Sequence, residues 1–212
     1  MQYRTIANLN LYDSPDLTRL ATQAAAGRYI RILSESPLKV MTCEDDYPGW
    51  LDTSDLQFLE EIELPYQAPV WTEEEIRDRI PEIIAFTQAA MAVPNEYLWG
   101  GTVAPNYDCS GLMQAAFASV GVRLPRDAYQ QEAFLHPIEE LMQGDLVFFG
   151  TPEKATHVGL YLGDRHYIHS SGKDQGRNGI GIDLLSPDGD AVSQTYFAQY
   201  RGAGRVIQSY SP

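Results

Sequence analysis

The sequence predicts an α+β protein in which a small all-β part precedes a mixed part of helices and strands, with the join near residue 70. Three observations predict this. The first seventy residues carry short apolar runs broken by turn residues, the pattern of brief strands. Further along, Leu112, Met113, Ala116, Phe117 and Val120 recur at helical spacing. Beyond them, His157, Gly159 and Tyr161 alternate with Val158, Leu160 and Leu162, a strand with one apolar face. At 212 residues and 44% apolar content, the chain can fill two cores of ordinary size.

In chain order, residues 1–70 read as strands such as Tyr29-Ile30-Arg31-Ile32-Leu33 and Leu38-Lys39-Val40-Met41. Glu44, Asp45 and Asp46 read as a solvated loop, and Cys43 as a buried apolar residue. The segment Leu64-Pro65-Tyr66-Gln67-Ala68-Pro69-Val70 is proline-bearing and aperiodic, and reads as a connection. Thr72 and Glu75 form a capping box that opens a helix in the second part, residues 71–212. Pro81 is expected to interrupt that helix and leave a second one from Glu82 to about Met91, with Ile83, Ile84, Phe86 and Ala90 inward. The next helix is expected from Cys109 to Val120, stopped by Gly121. The last pattern is a hairpin, with Gly163-Asp164-Arg165 turning into His166-Tyr167-Ile168-His169.

The chemistry centres on Cys109. A free thiol is only slightly ionised at neutral pH and becomes a useful nucleophile beside a base or at a helix N-terminus. Cys109 would stand in a first helical turn, in the positive field of the helix dipole, although a small buried residue is the common role of a cysteine. His157 is the candidate base and His169 the candidate orienting group, with His166 a competitor. Parity decides between them: a three-residue loop, Leu162 to Asp164, puts His157 and His169 directly opposite on one face. A two-residue Gly163-Asp164 turn puts them on opposite faces.

At these residues the chain resembles the NlpC-type cell-wall peptidases, papain-like enzymes that cut γ-D-glutamyl bonds. The resemblance rests on Tyr97-Leu98-Trp99-Gly100-Gly101, Asp108-Cys109-Ser110-Gly111, Leu124-Pro125-Arg126, Gly144-Asp145-Leu146-Val147-Phe148-Phe149, His157-Val158-Gly159-Leu160-Tyr161-Leu162-Gly163 and His169. It implies Cys109 as nucleophile, His157 as base, His169 as third residue, and Tyr97 with the backbone N–H of Cys109 as the oxyanion site. It also implies that Asp108 and Ser110 hold the free N-terminal L-alanine of the substrate. Ala128 stands where relatives carry a serine that contacts substrate. Asp46-Tyr47-Pro48-Gly49-Trp50-Leu51 resembles the signature of bacterial SH3-like barrels, so the fold implied is a papain-like domain behind such a barrel, with Tyr47 at the ammonium subsite. The activity implied is a γ-D-glutamyl-L-diamino acid endopeptidase acting on small murein peptides in wall-peptide recycling. An amidase or acyltransferase of the same fold, or a peptide-binding module without catalysis, would use the same parts.

The charge of −14 divides into −6 over residues 1–70, with five basic and eleven acidic residues, and −8 over the remainder. Both halves lack the clustered Lys and Arg that nucleic acid or anionic membranes require. Cys43 and Cys109 are too few for a disulfide framework and have no histidine at zinc-ligand spacing, so no metal or other cofactor is expected. The N-terminus lacks a basic segment followed by an apolar core, and a chain complete as given is expected in the cytoplasm. The sequence leaves the oligomeric state open.

Overall fold

The apolar runs of the sequence pair into two large antiparallel sheets and one two-stranded one, described over residues 1–212 by a computed structural model. The first part supplies β1 (Gln2–Thr5), β2 (Leu9–Tyr12), β3 (Leu20–Ala24), β4 (Tyr29–Glu35), β5 (Leu38–Thr42), β6 (Pro48–Trp50) and β7 (Leu59–Glu61). They form one curled sheet in the order β3-β2-β6-β5-β4-β1-β7 around Leu9, Leu11, Ile30, Leu38, Val40 and Leu51. Gly49 explains part of the Tyr47 to Trp50 motif, because a Cβ there would stand 2.7 Å from that of Leu11. Only a residue without a side chain lets β6 approach β2 so closely.

The second part begins at the expected capping box, in which Thr72 and Glu75 cap each other at the start of α1 (Glu73–Asp78). The break falls at Arg79, before Pro81, and α2 runs over Ile80–Ala92. Pro81 thus sits in the first turn of α2, where a missing N–H costs no hydrogen bond, and it starts the helix that it was expected to interrupt. Ile83 is fully buried on α2, with Ile84, Phe86 and Ala90 packed beside the core. A small hairpin, β8 (Thr102–Val103) and β9 (Asn106–Tyr107), leads into α3 (Cys109–Ala118). Helix α3 buries Leu112, Met113, Ala116 and Phe117, and ends two residues short of the expected Val120, with Gly121 at φ +83° in the turn beyond.

After α4 (Ala128–Phe134) come β10 (His136–Ile138), β11 (Leu146–Gly150), β12 (Ala155–Gly163), β13 (His166–Ser171) and β14 (Gly179–Leu184). Helix α5 (Ala191–Phe197) and β15 (Tyr200–Arg205) close the chain. The sheet order is β10-β15-β11-β12-β13-β14, and α3 packs across β12 and β13. No helix is long and apolar enough to cross a membrane.

The β12–β13 hairpin settles the parity question in an unexpected way. Gly163 pairs with His166, so the turn has two residues, Asp164 and Arg165, both at positive φ as a type I′ turn requires. A bulge at Leu162 then adds one residue to β12 and restores the Tyr161–Tyr167 and Leu160–Ile168 pairs. Continuing that register sets Gly159 across from His169, so the two histidines share a face but stand diagonally, not directly opposite.

The two parts meet along β8 and the neighbourhood of α3. Gln23 accepts the N–H groups of Thr102 and Val103, and Thr22 accepts from Arg126 Nε at 2.8 Å. Glu44 and Asp45 are not a solvated loop: they are 1% and 5% exposed, paired with Arg28, and Asp45 also accepts from Gln114 on α3. Asp46 alone of the three faces water, beside Arg31.

Candidate active site

The site is built on the first turn of α3. Asp108 is its N-cap and accepts from Gly111 N–H at 2.6 Å. The turn is pressed against the preceding loop, because a Cβ on Gly111 would lie 2.0 Å from the Gly101 carbonyl oxygen. Glycine is therefore required at 111 by the approach of two backbones, and this places Cys109 at the helix start. Asp108 has no free lone pair to spare. It also accepts from Gly100 N–H at 2.9 Å and from Arg126 in a bidentate pair at 3.1 and 2.6 Å. Ser110 Oγ accepts from the same guanidinium at 2.9 Å and donates to Asp108. Arg126, 1% exposed, is thus the countercharge that lets a carboxylate be buried beside the thiol.

Cys109 is 6% exposed, and its burial, with the Asp108 charge, pushes the thiol up to about 12 against the opposing pull of the Val158 and Ser110 N–H groups and Arg126. His157 is held well below the usual imidazole range by burial and by His169. Its ring stacks on Tyr196 with centroids 4.3 Å apart, and its Nε2 lies 2.6 Å from His169 Nδ1. His169 is fully buried, and its Nε2 lies 2.6 Å from Asp183 Oδ2. Asp183 in turn is bound by Arg177 through both oxygens. His166, the competitor, is exposed at the turn and joins none of these contacts.

A cavity of about 320 Å³ opens over Cys109, lined also by Tyr47, Tyr97, Asp108, Ser110, Asp127 and Ala128. Five of the sequence-predicted residues therefore meet in one cleft, while His157 and His169 lie outside its lining, His157 following the lining residue Thr156 on β12. Tyr97 is kept protonated by burial, its ionisation pushed far up, and its hydroxyl makes no hydrogen bond within the protein. Tyr47, from the first part, reaches across the boundary to within 3.4 Å of Asp127. Burial raises Asp127 above the usual carboxylate range despite Arg126 nearby and the hydrogen bond from Tyr47. Asp127, Asp183 and Arg177 escape a reading of the sequence. The available signals were slight: an acidic N-cap before Ala128, and one acid at an inward position of the alternating run Gly179 to Leu184. A second cavity of about 390 Å³, between the first part and α3, contains no nucleophile. No cluster of three His, Cys, Asp or Glu side chains is placed to hold a metal.

Comparison with known proteins decides the family. The model of the NlpC/P60 family matches residues 94–201, about half of the chain, and that of the bacterial dipeptidyl-peptidase Sh3 domain matches residues 11–56. The chain belongs to the NlpC/P60 family. The solved structure of an NlpC/P60 family protein from Bacillus cereus ATCC 10987 superposes on 98% of this chain and all of that one, with a TM-score of 0.74 at 18% identity. The fold is accordingly the papain-like NlpC/P60 fold with an SH3-like all-β region before it. Among curated relatives, a γ-D-glutamyl-L-lysine dipeptidyl-peptidase of Bacillus subtilis is 37% identical over 42% of this chain and 30% of its own length. The murein DD-endopeptidase MepH of Escherichia coli is 35% identical over 58% of this chain and 45% of its own. The NlpC/P60 chain thus spans less than half the length of either relative.

Proposed function

We propose that this NlpC/P60 protein is a cysteine peptidase that hydrolyses the bond between γ-D-glutamate and a diamino acid in short murein peptides with a free N-terminal L-alanine. The observation that supports this most is the cleft over Cys109, in which Tyr47 of the SH3-like part and the carboxyl group of Asp127 stand together. A substrate ammonium beside Asp127 would favour its ionised form and make a strong charge-assisted contact with it. Asp108 is an unsuitable partner for it, because Arg126 and two backbone N–H groups already use both oxygens. The proposed ammonium subsite is therefore Asp127 with Tyr47, which family resemblance already puts there, in place of Asp108 and Ser110.

In the proposed reaction the Cys109 thiol gives its proton to His157, and the thiolate attacks the γ-carbonyl carbon. Tyr97 Oη–H and the Cys109 N–H donate to the oxyanion that forms. His157 then protonates the leaving amine, and water, activated by the same ring, hydrolyses the thioester. In the intact wall the L-alanine nitrogen is an amide without charge. A site that requires the ammonium acts on peptides already released, which favours the recycling role and the cytoplasmic place expected from the sequence. The named activities of the dipeptidyl-peptidase and endopeptidase relatives agree with the reaction class.

The test is mass spectrometry of L-alanyl-γ-D-glutamyl-meso-diaminopimelate incubated with the protein. Release of L-alanyl-γ-D-glutamate, lost in Cys109→Ala, is expected. An intact peptide with folded, reduced protein would favour the binding-module reading.

A further inference from the structure

We infer that Asp183, held by Arg177, is a positioning residue that fixes both histidines as their Nε2–H tautomers and provides the countercharge for the imidazolium formed when Cys109 ionises. This rests on the peptidase reading above.

The argument is one of donors and acceptors. Asp183 is 4% exposed; burial pushes its carboxyl up, but hydrogen bonds from His169 and Arg177 outweigh this and hold it below the carboxylate range. An ionised carboxylate only accepts, so His169 must carry its proton on Nε2 and present a lone pair at Nδ1. That lone pair faces His157 Nε2 at 2.6 Å, so His157 must donate from Nε2 and keep its own Nδ1 unprotonated. Nδ1 is then the atom that takes the thiol proton, and the positive charge created on the ring is relayed through His169 toward Asp183. With the opposite tautomers His157 would carry a proton on Nδ1 and could not act as the base.

Arg177 tunes this charge, and a glycine admits it. Gly181 pairs with His169 across β13 and β14, and a Cβ there would lie 2.4 Å from Arg177 Nη1. The guanidinium crosses the strand through that gap to reach Asp183. Its charge opposes an imidazolium on His169, whereas Asp183 favours one. The other titratable groups facing the pair are Tyr167 on β13 and Tyr196 on α5, both kept neutral by burial, while Asp190 before α5 is exposed to water.

Two substitutions therefore have opposite signs. Asp183→Asn keeps the shape but removes the countercharge, so the population of thiolate–imidazolium pair falls. Arg177→Gln removes the opposing charge, and that population rises. The rate of Cys109 alkylation by iodoacetamide at pH 7 is expected to drop about tenfold in the first and rise by a similar factor in the second, the effect of one pKa unit from one nearby charge. Circular dichroism confirms folding of each variant. Loss of packing alone would expose the buried thiol and raise the rate in both, a result that would overturn the inference, as would two unchanged rates. Long-range ¹H–¹⁵N correlation spectra of the wild type at pH 7 should show both histidines as Nε2–H, and a His157 proton on Nδ1 would also overturn it. Neither readout uses a peptide, so failure of the peptidase reading would appear separately, as an uncleaved substrate.

Discussion

Arg126 shows how a single residue carries the site. Its guanidinium neutralises Asp108, supports Ser110 and reaches Thr22 of the SH3-like part, while itself 1% exposed. Arg126→Ala leaves Asp108 buried without its partner, and is expected to cost about 3–5 kcal/mol in urea unfolding, the usual penalty for breaking a buried pair. The histidines give a pH prediction of definite sign. Both have folded pKa values lowered by burial, so below about pH 6.5 the unfolded chain binds protons that the native one refuses. Stability present at pH 7 is lost as pH falls from there toward pH 5, and His157→Gln should flatten that part of a urea-midpoint profile. The placement of Cys109 at a helix start and of His157 on an alternating strand was legible because each is a local property of the sequence. Arg126 was visible in the sequence only as part of a motif, since its partner lies eighteen positions away and meets it through the turn of α3.

At the scale of elements, backbone contact rather than side-chain chemistry sets the geometry. Gly111→Ala would drive the first turn of α3 off the Gly101 carbonyl and displace the thiol, whereas Gly27→Ala, at φ +93° with nothing within 4 Å, carries only the strain of a left-handed alanine. The first is expected to abolish peptide cleavage and the second to cost about 1 kcal/mol of stability with cleavage retained, the order of a left-handed residue's strain. Elements with a strong local signal, such as the Thr72–Glu75 cap and the α3 stripe, were readable in advance. The β12–β13 hairpin was readable too, but its register was not. A two-residue turn taken alone separates the histidines, and only the bulge at Leu162 reunites them. A bulge of one residue leaves no periodic trace, because it exists to satisfy the pairing of both strands at once.

For the whole molecule, an all-β SH3-like region ahead of a mixed papain-like fold was legible from the change in pattern, but the meeting of the two was not. Glu44 and Asp45 look like a surface loop in sequence and are instead buried on Arg28, with Asp45 making the polar contact of the SH3-like part with α3. Asp127 acquires its character only when Tyr47 is brought over it. The acidity of both halves is consistent with cationic ends on the substrate and is at odds with polyanion partners. The central claim is that the cleft selects peptides by their free ammonium. It is tested most directly by kcat/KM for L-alanyl-γ-D-glutamyl-meso-diaminopimelate against the same peptide acetylated at its amine, in the wild type and in Asp127→Asn. The wild type should favour the free peptide by tenfold to a hundredfold, the worth of a charge-assisted hydrogen bond of about 1.5–3 kcal/mol, and the variant should lose that preference. Equal cleavage of both peptides by the wild type would contradict the account.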